Sequence, residues 1–312
     1  MKRGILLTLA ITLFLYTGNS HAQTVNSISY YGESSVKTEK QNFQSRKLAV
    51  ASKDKIEKLL ADKSVVKSQW KGFDRFDFNF NGRDARIVCP KKPLSGNPWV
   101  WNARFPDWHT EMDSMLLDEG FFITYLNTDE LVGSPRAVEV WNTYYDYLIA
   151  QIQFNHKVAL EGVSRGGLYV YNWAKVNPEK VICIYCEGPV CDISSWPGGY
   201  KKGKRSDADW ELVKKMYGFA TDSAAIAFRD NPVDNLDSLA KAAVPVLHMV
   251  GINDEVVPTD VNTMILVERY IKLGGPAIVI PCTKGVEPEG HHYKIETPRK
   301  AADFIKYCYG VK

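Results

Sequence analysis

The sequence predicts an α/β protein, a mostly parallel sheet with helices on both faces, and three observations predict it. Short apolar runs alternate with amphipathic stretches from about residue 75 to the C-terminus, the pattern of parallel strands covered on both sides. One of these runs opens directly into Gly162-Val163-Ser164-Arg165-Gly166 and then a helix. The rhythm breaks once, over about 190–240, where a small cap insertion above the C-terminal ends of the strands belongs.

Each element follows from its local pattern. Residues 53–62 read as a short helix. Residues 75–80 alternate aromatic and polar side chains, as an outer strand does, and 85–89 and 99–101 are the next strands. A helix over 110–119 stops at Gly120, and 121–126 is a strand. Residues 135–152 form a long amphipathic helix with Val138, Val140, Trp141, Tyr144, Tyr145, Leu148 and Ile149 largely along one stripe. The run 157–161 is a buried strand, and the helix 166–176 ends at Asn177-Pro178. Buried strands at 181–186, 244–250 and 277–281 complete the sheet, with helices at 259–273 and 298–307 after the last two. The insertion holds two helical pieces, near 207–217 and 221–229.

Lys2 and Arg3, the apolar run Gly4–Tyr16, and Ser20 and Ala22 have the layout of a cleavable signal peptide over residues 1–22. Residues 23–312 then form one domain, periplasmic or secreted, and no later run is long enough to span a membrane. Cleavage at Ala22 removes two basic residues and leaves 37 Lys and Arg against 36 Asp and Glu. A nearly neutral chain carries no broad basic field, which argues against nucleic acid as a partner. The one dense basic run, Lys201, Lys202, Lys204 and Arg205, reads as a solvated loop. Cys183 and Cys186 have metal-pair spacing, but strand alternation sends them to opposite faces, so buried free thiols are expected. A Cys186–Cys191 bridge stays open.

The chemistry is carried by the strand–Gly-x-Ser-x-Gly–helix context, a nucleophile elbow. A turn this tight leaves no room for large side chains at Gly162 and Gly166 and projects the Ser164 hydroxyl from the sheet. The N–H of Arg165, one residue on, is placed to hold a developing oxyanion. A serine hydroxyl needs a base, and in the α/β-hydrolase fold the acid and then the histidine follow the serine in the chain. Asp254 ends the strand 244–250 and its turn, with Glu255 beside it and Glu187 at the end of the preceding strand as alternatives. Gly290-His291-His292 lies beyond the last strand. His291 is favoured because the glycine lets its loop approach Ser164, and His292 remains open. The second oxyanion donor is expected after the strand 99–101, on the backbone of Ala103 or Arg104. The Arg104 and Arg165 side chains either pair with scaffold acids or meet a substrate carboxylate. Trp101, Trp108, His109 and Trp196 are candidate substrate-binding residues, and Asp107 shares their loop. Paired histidines without further ligands in register do not make a metal site, and no cofactor is implied.

The segments Pro98-Trp99-Val100-Trp101-Asn102-Ala103-Arg104-Phe105, Glu161-Gly162-Val163-Ser164-Arg165-Gly166-Gly167, Pro189-Val190-Cys191-Asp192 and Gly290-His291-His292 resemble bacterial α/β-hydrolases of plant-polysaccharide degradation. They are similar in particular to carbohydrate esterases of the serine-triad pectin methylesterase type. The resemblance implies a methyl-esterified uronic acid in a polysaccharide or oligosaccharide as substrate, with Arg104 and Arg165 holding neighbouring carboxylates. Those esterases carry Pro where Tyr293 stands here. Acetyl or feruloyl esterase activity is the main rival, and a catalytically inactive glycan-binding module is the reading from another class. A peptidase of similar fold is less favoured, since no propeller or second domain is read before the hydrolase part. Oligomeric state is not legible.

Overall fold

The computed structural model describes residues 53–61, 64–283, 290–291 and 293–311. The expected leader, residues 1–22, lies outside them, and so does His292. Nine strands form one sheet in the order β1-β2-β3-β5-β4-β6-β7-β8-β9. Strands β1 (Val66–Trp70), β2 (Phe73–Phe80) and β3 (Arg83–Cys89) make an antiparallel flank, and β3 pairs antiparallel with β5 (Phe122–Leu126). From there β4 (Trp99–Asn102), β6 (Val158–Val163), β7 (Val181–Glu187), β8 (Val246–Gly251) and β9 (Ala277–Cys282) run parallel. The edge strand β1 was not anticipated. Its residues are mostly exposed, so it lacks the apolar run that marked the others.

The connection from β4 moves outward to β5, and the next returns across β4 to β6. This is a topological switch point, and ligands in open α/β sheets bind at the carboxyl ends of strands there. The loop after β4 and the turn after β6 meet at that place.

Helices cover both faces: α1 (Lys53–Leu60), α2 (Glu111–Asp118), α3 (Pro135–Tyr147), α4 (Gly166–Val176), α5 (Asp207–Tyr217), α6 (Asp222–Ile226), α7 (Asp237–Lys241), α8 (Thr263–Lys272) and α9 (Pro298–Cys308). Helix α3 is shorter than its hydrophobic stripe, because the chain passes into a π-helical turn over Leu148–Ile152. The sheet separates two buried clusters. Cys186 lies in one and Cys183 in the other, as alternation along a strand requires, and all six cysteines are free. Within the larger cluster Trp101 stacks on Trp141 with ring centroids 4.1 Å apart, flanked by Trp99 and Trp173.

The stretch 190–240 divides in two. Helix α7, which sequence patterning missed, packs against α4 and α8 as part of the scaffold. Ser206 and Asp209, at the start of α5, face the cleft described below. Among the described residues no helix is long and apolar enough to cross a membrane.

One buried group links the core to pH. His248 on β8 is fully buried between the Tyr171 hydroxyl at 2.6 Å and the Thr263 hydroxyl at 3.0 Å. Burial pushes its pKa down to about 3. The unfolded chain takes up this proton near pH 6.5. Between these values the unfolded state holds more protons, so stability falls as pH drops through that window. Urea unfolding at pH 7 and pH 5 is expected to show a loss that His248→Gln removes, about 2 kcal/mol for this group. Equal pH slopes for wild type and variant would exclude it.

Candidate active site

Ser164 stands at the turn from β6 into α4 with φ +51°, the left-handed region that non-glycine residues seldom occupy and that recurs at functional sites. The turn is clamped from β7: the Ser164 N–H donates to the Glu187 carbonyl at 2.9 Å, and the Val190 N–H donates to the Ser164 carbonyl at 2.8 Å. Close packing explains the glycines. A Cβ on Gly162 would lie 2.9 Å from Val170 Cγ2 and 3.1 Å from Cys186 Sγ. The second crowded position is Gly167 rather than Gly166. A Cβ there would meet Pro189 Cβ and the Val190 carbonyl at 2.7 Å, whereas at Gly166 the nearest atom is Arg104 Cβ at 3.4 Å.

The Ser164 hydroxyl lies 2.9 Å from His291 Nε2, and His291 Nδ1 lies 2.8 Å from Asp254 Oδ2. The other Asp254 oxygen accepts from the Val256 and Val257 N–H groups at 3.0 and 2.8 Å. The Asp254 side chain is fully buried and the His291 ring nearly so. Gly290 has φ +67°, and a Cβ on it would come within 2.0 Å of the Asn253 carbonyl. Only glycine lets the histidine loop lie this close to the Asn253–Asp254 peptide. Tyr293, buried, anchors the same loop by donating to the Met249 carbonyl at 2.8 Å. Of the alternative acids, Glu255 is exposed, and Glu187 pairs with a different histidine.

That second pair was not read from the sequence. Glu187, buried, lies 2.5 Å through Oε2 from His109 Nδ1 and accepts from the Tyr185 hydroxyl at 2.7 Å on Oε1. Behind it, Asp113 and Glu161 are buried together. Burial, and then each other's charge and that of Glu187, hold the Glu161 carboxyl well above the usual range, and burial raises Asp113 likewise.

The remaining site candidates fall into two groups. Trp108, His109, Arg165 and Trp196 line a cleft of about 510 Å³ with Ser164, His291, Phe105 and Tyr293. Trp101 does not: it is fully buried in the tryptophan cluster, because its side chain projects into the core face of β4. The expectation that it binds substrate is thereby corrected. Asp107 turns away to Arg86 and the Trp70 indole, each at 2.9 Å.

Both arginines pair with scaffold acids. Arg165 bonds Asp209 at 2.9 Å and covers Trp196, and Arg104 bonds Asp129 and covers Phe105. The backbone donor expected of Arg104 is also committed, to Asn102 Oδ1 at 3.0 Å, and that of Ala103 to the Glu161 carbonyl at 2.9 Å. The next residue, Phe105, has φ +57°, and its N–H and that of Arg165 have no partner among the described residues. Three residues of the basic run pair with acids, Lys201 with Asp192, Lys202 with Asp260 and Arg205 with Asp207. Among the described residues no group of three or more His, Cys, Asp or Glu is placed to hold a metal ion.

Sheet order, switch point and elbow together define the α/β-hydrolase fold. No protein-family model matches the sequence, and no curated protein matches it significantly. Solved structures share the fold. A puromycin hydrolase superposes with a TM-score of 0.59 at 18% identity, covering 80% of this chain and 40% of that one. A puromycin-hydrolyzing peptidase of Mycobacterium tuberculosis gives 0.58 at 14%, again covering 80% and 40%. A 2,6-dihydroxy-pseudo-oxynicotine hydrolase gives 0.53 at 17%, covering 80% and 69%. The chain thus spans about two fifths of the length of the first two. These structures correct the expected pectin methylesterase activity and the expected polysaccharide ester partner. The fold neighbours are named for hydrolysis of puromycin and as a peptidase, and none of the three is a carbohydrate esterase.

Proposed function

We propose that this chain is a serine hydrolase that cleaves a peptide-like amide through an acyl-enzyme. The observation that carries the reading is the continuous bonded line from Ser164 through His291 to Asp254 on the α/β-hydrolase frame. In this reading Asp254 holds the His291 ring with its proton on Nδ1, leaving the Nε2 lone pair for the Ser164 hydroxyl. Ser164 Oγ attacks the carbonyl carbon as its proton passes to Nε2. The N–H groups of Arg165 and Phe105 carry the oxyanion, replacing the donor expected at Arg104. His291 then protonates the leaving amine, and water attacks the acyl-enzyme by the reverse sequence. The aromatic cleft formed by Phe105, Trp108, Trp196 and Tyr293 suits an apolar side chain or ring next to the scissile bond. The amide preference is supported by the activities for which these fold neighbours are named.

The test is a fluorophosphonate probe followed by a substrate panel. Wild type is expected to label and to release p-nitroaniline from aminoacyl and dipeptidyl p-nitroanilides bearing apolar residues. An enzyme that labels yet leaves every anilide intact would overturn the amide assignment, and absence of labelling would overturn the hydrolase itself.

A further inference from the structure

The His109–Glu187 pair faces the same cleft as the nucleophile, and the mechanism above makes no use of it. Glu187 ends β7, so its position is fixed by the sheet, next to the end of β6 in the register Val163↔Glu187. Among the described residues its carboxyl has two partners, the Tyr185 hydroxyl and His109 Nδ1. His109 is its one ion-pair partner among the described residues. The His109 backbone itself sits at φ +50°, a strained conformation just before α2. Its side chain is one-fifth exposed, and the exposed part lies in the cleft wall beside Trp108, with ring centroids 4.9 Å apart.

Counting protons decides what the ring can do. Asp254 spreads its charge over two backbone N–H donors besides its histidine, whereas Glu187 has, among the described residues, only the Tyr185 hydroxyl, so this buried pair is least costly when its net charge is zero. With Glu187 ionised, a neutral pair requires an imidazolium, and Nε2 bears a hydrogen. With Glu187 protonated, its hydroxyl donates to Nδ1, and the neutral ring again bears its hydrogen on Nε2. Both neutral arrangements therefore turn an N–H donor toward the cleft, and Nε2 has no partner among the described residues.

We infer that His109 binds an oxygen acceptor of the substrate, a carbonyl or carboxylate beside the scissile bond, and that Glu187 is the residue that positions it. The site rejects substrates lacking that oxygen, because the donor is then left without a partner.

This inference rests on the serine-hydrolase reading, and two substrates keep the two apart. p-Nitrophenyl acetate offers no carbonyl beyond the scissile one and reports the triad. An N-acylated or dipeptidyl p-nitroanilide supplies the additional carbonyl. His109→Leu is expected to lower kcat/KM on the anilide by about 10- to 100-fold, chiefly through KM, a loss several-fold larger than its effect on the acetate. His109→Gln, which keeps a donor at similar reach, is expected to recover most of the loss. Glu187→Gln is expected to follow His109→Leu in direction. Equal losses on both substrates would make the dyad a structural support, and no loss on either would remove the role. Absence of acetate turnover in wild type would instead fall on the hydrolase reading.

Discussion

Ser164→Ala is expected to abolish probe labelling and to lower kcat by about 10⁴-fold or more, with the thermal midpoint unchanged within a degree or two. The change removes one oxygen from a side chain whose only polar contact among the described residues is His291 Nε2, so the fold has little to lose. His291→Ala should cost about as much, and the double variant should cost no more than either. Groups acting on one proton do not contribute additively. Asp254→Asn is expected to leave the loop in place and still lose about 10⁴-fold, because an amide at this position favours the wrong ring tautomer. The residual rate in these variants belongs to the backbone donors and to binding. Stopped-flow and steady-state assays on one anilide check the series. A Ser164→Ala enzyme that retains a tenth of wild-type turnover would exclude this serine as nucleophile.

Trp101→Ala is expected to cost about 3–5 kcal/mol of stability, and to lower the thermal midpoint by roughly 10 °C. Trp101 is fully buried between Trp99, Trp141 and Trp173. Truncation leaves a cavity whose walls are rigid aromatic planes, so little of it can collapse. Trp108→Ala should behave in the opposite way. The residue is 41% exposed, so stability should change by less than about 1 kcal/mol while KM rises. Calorimetry and kinetics on the two variants separate a core residue from a cleft residue. The assignment of Trp101 to the core fails if its alanine variant melts like wild type and binds substrate poorly.

The chain pattern made the elbow legible because a strand, a serine between glycines and a helix must occur contiguously for the turn to exist. The order of acid and histidine was legible for a related reason, since parallel strands deliver their following loops to one edge of the sheet. Where contiguity ends, sequence reading missed. Trp101 and Trp108 are seven residues apart and equally aromatic, and only the facing of β4 sends one inward. Arg104 stands where an oxyanion donor was expected, yet Asn102 Oδ1 takes its N–H, a local bond that no spacing rule announces. Glu187 looked like a spare catalytic acid, but the sheet places it against His109, 78 residues earlier in the chain.

By itself the sequence determined the α/β class, the position of the elbow and the residues able to complete a Ser-His-Asp line. Those are consequences of local pattern, of glycine where a Cβ would collide and of chain order along a parallel sheet. Tertiary structure alone decided which tryptophans line the cleft, which backbone N–H groups remain unpaired among the described residues, and which histidine a buried carboxylate faces. These depend on side-chain direction and on partners distant in the chain, which a linear pattern does not encode. The resemblance carried by motifs shared across the fold suggested a sugar ester, a reading corrected by solved structures that share that fold.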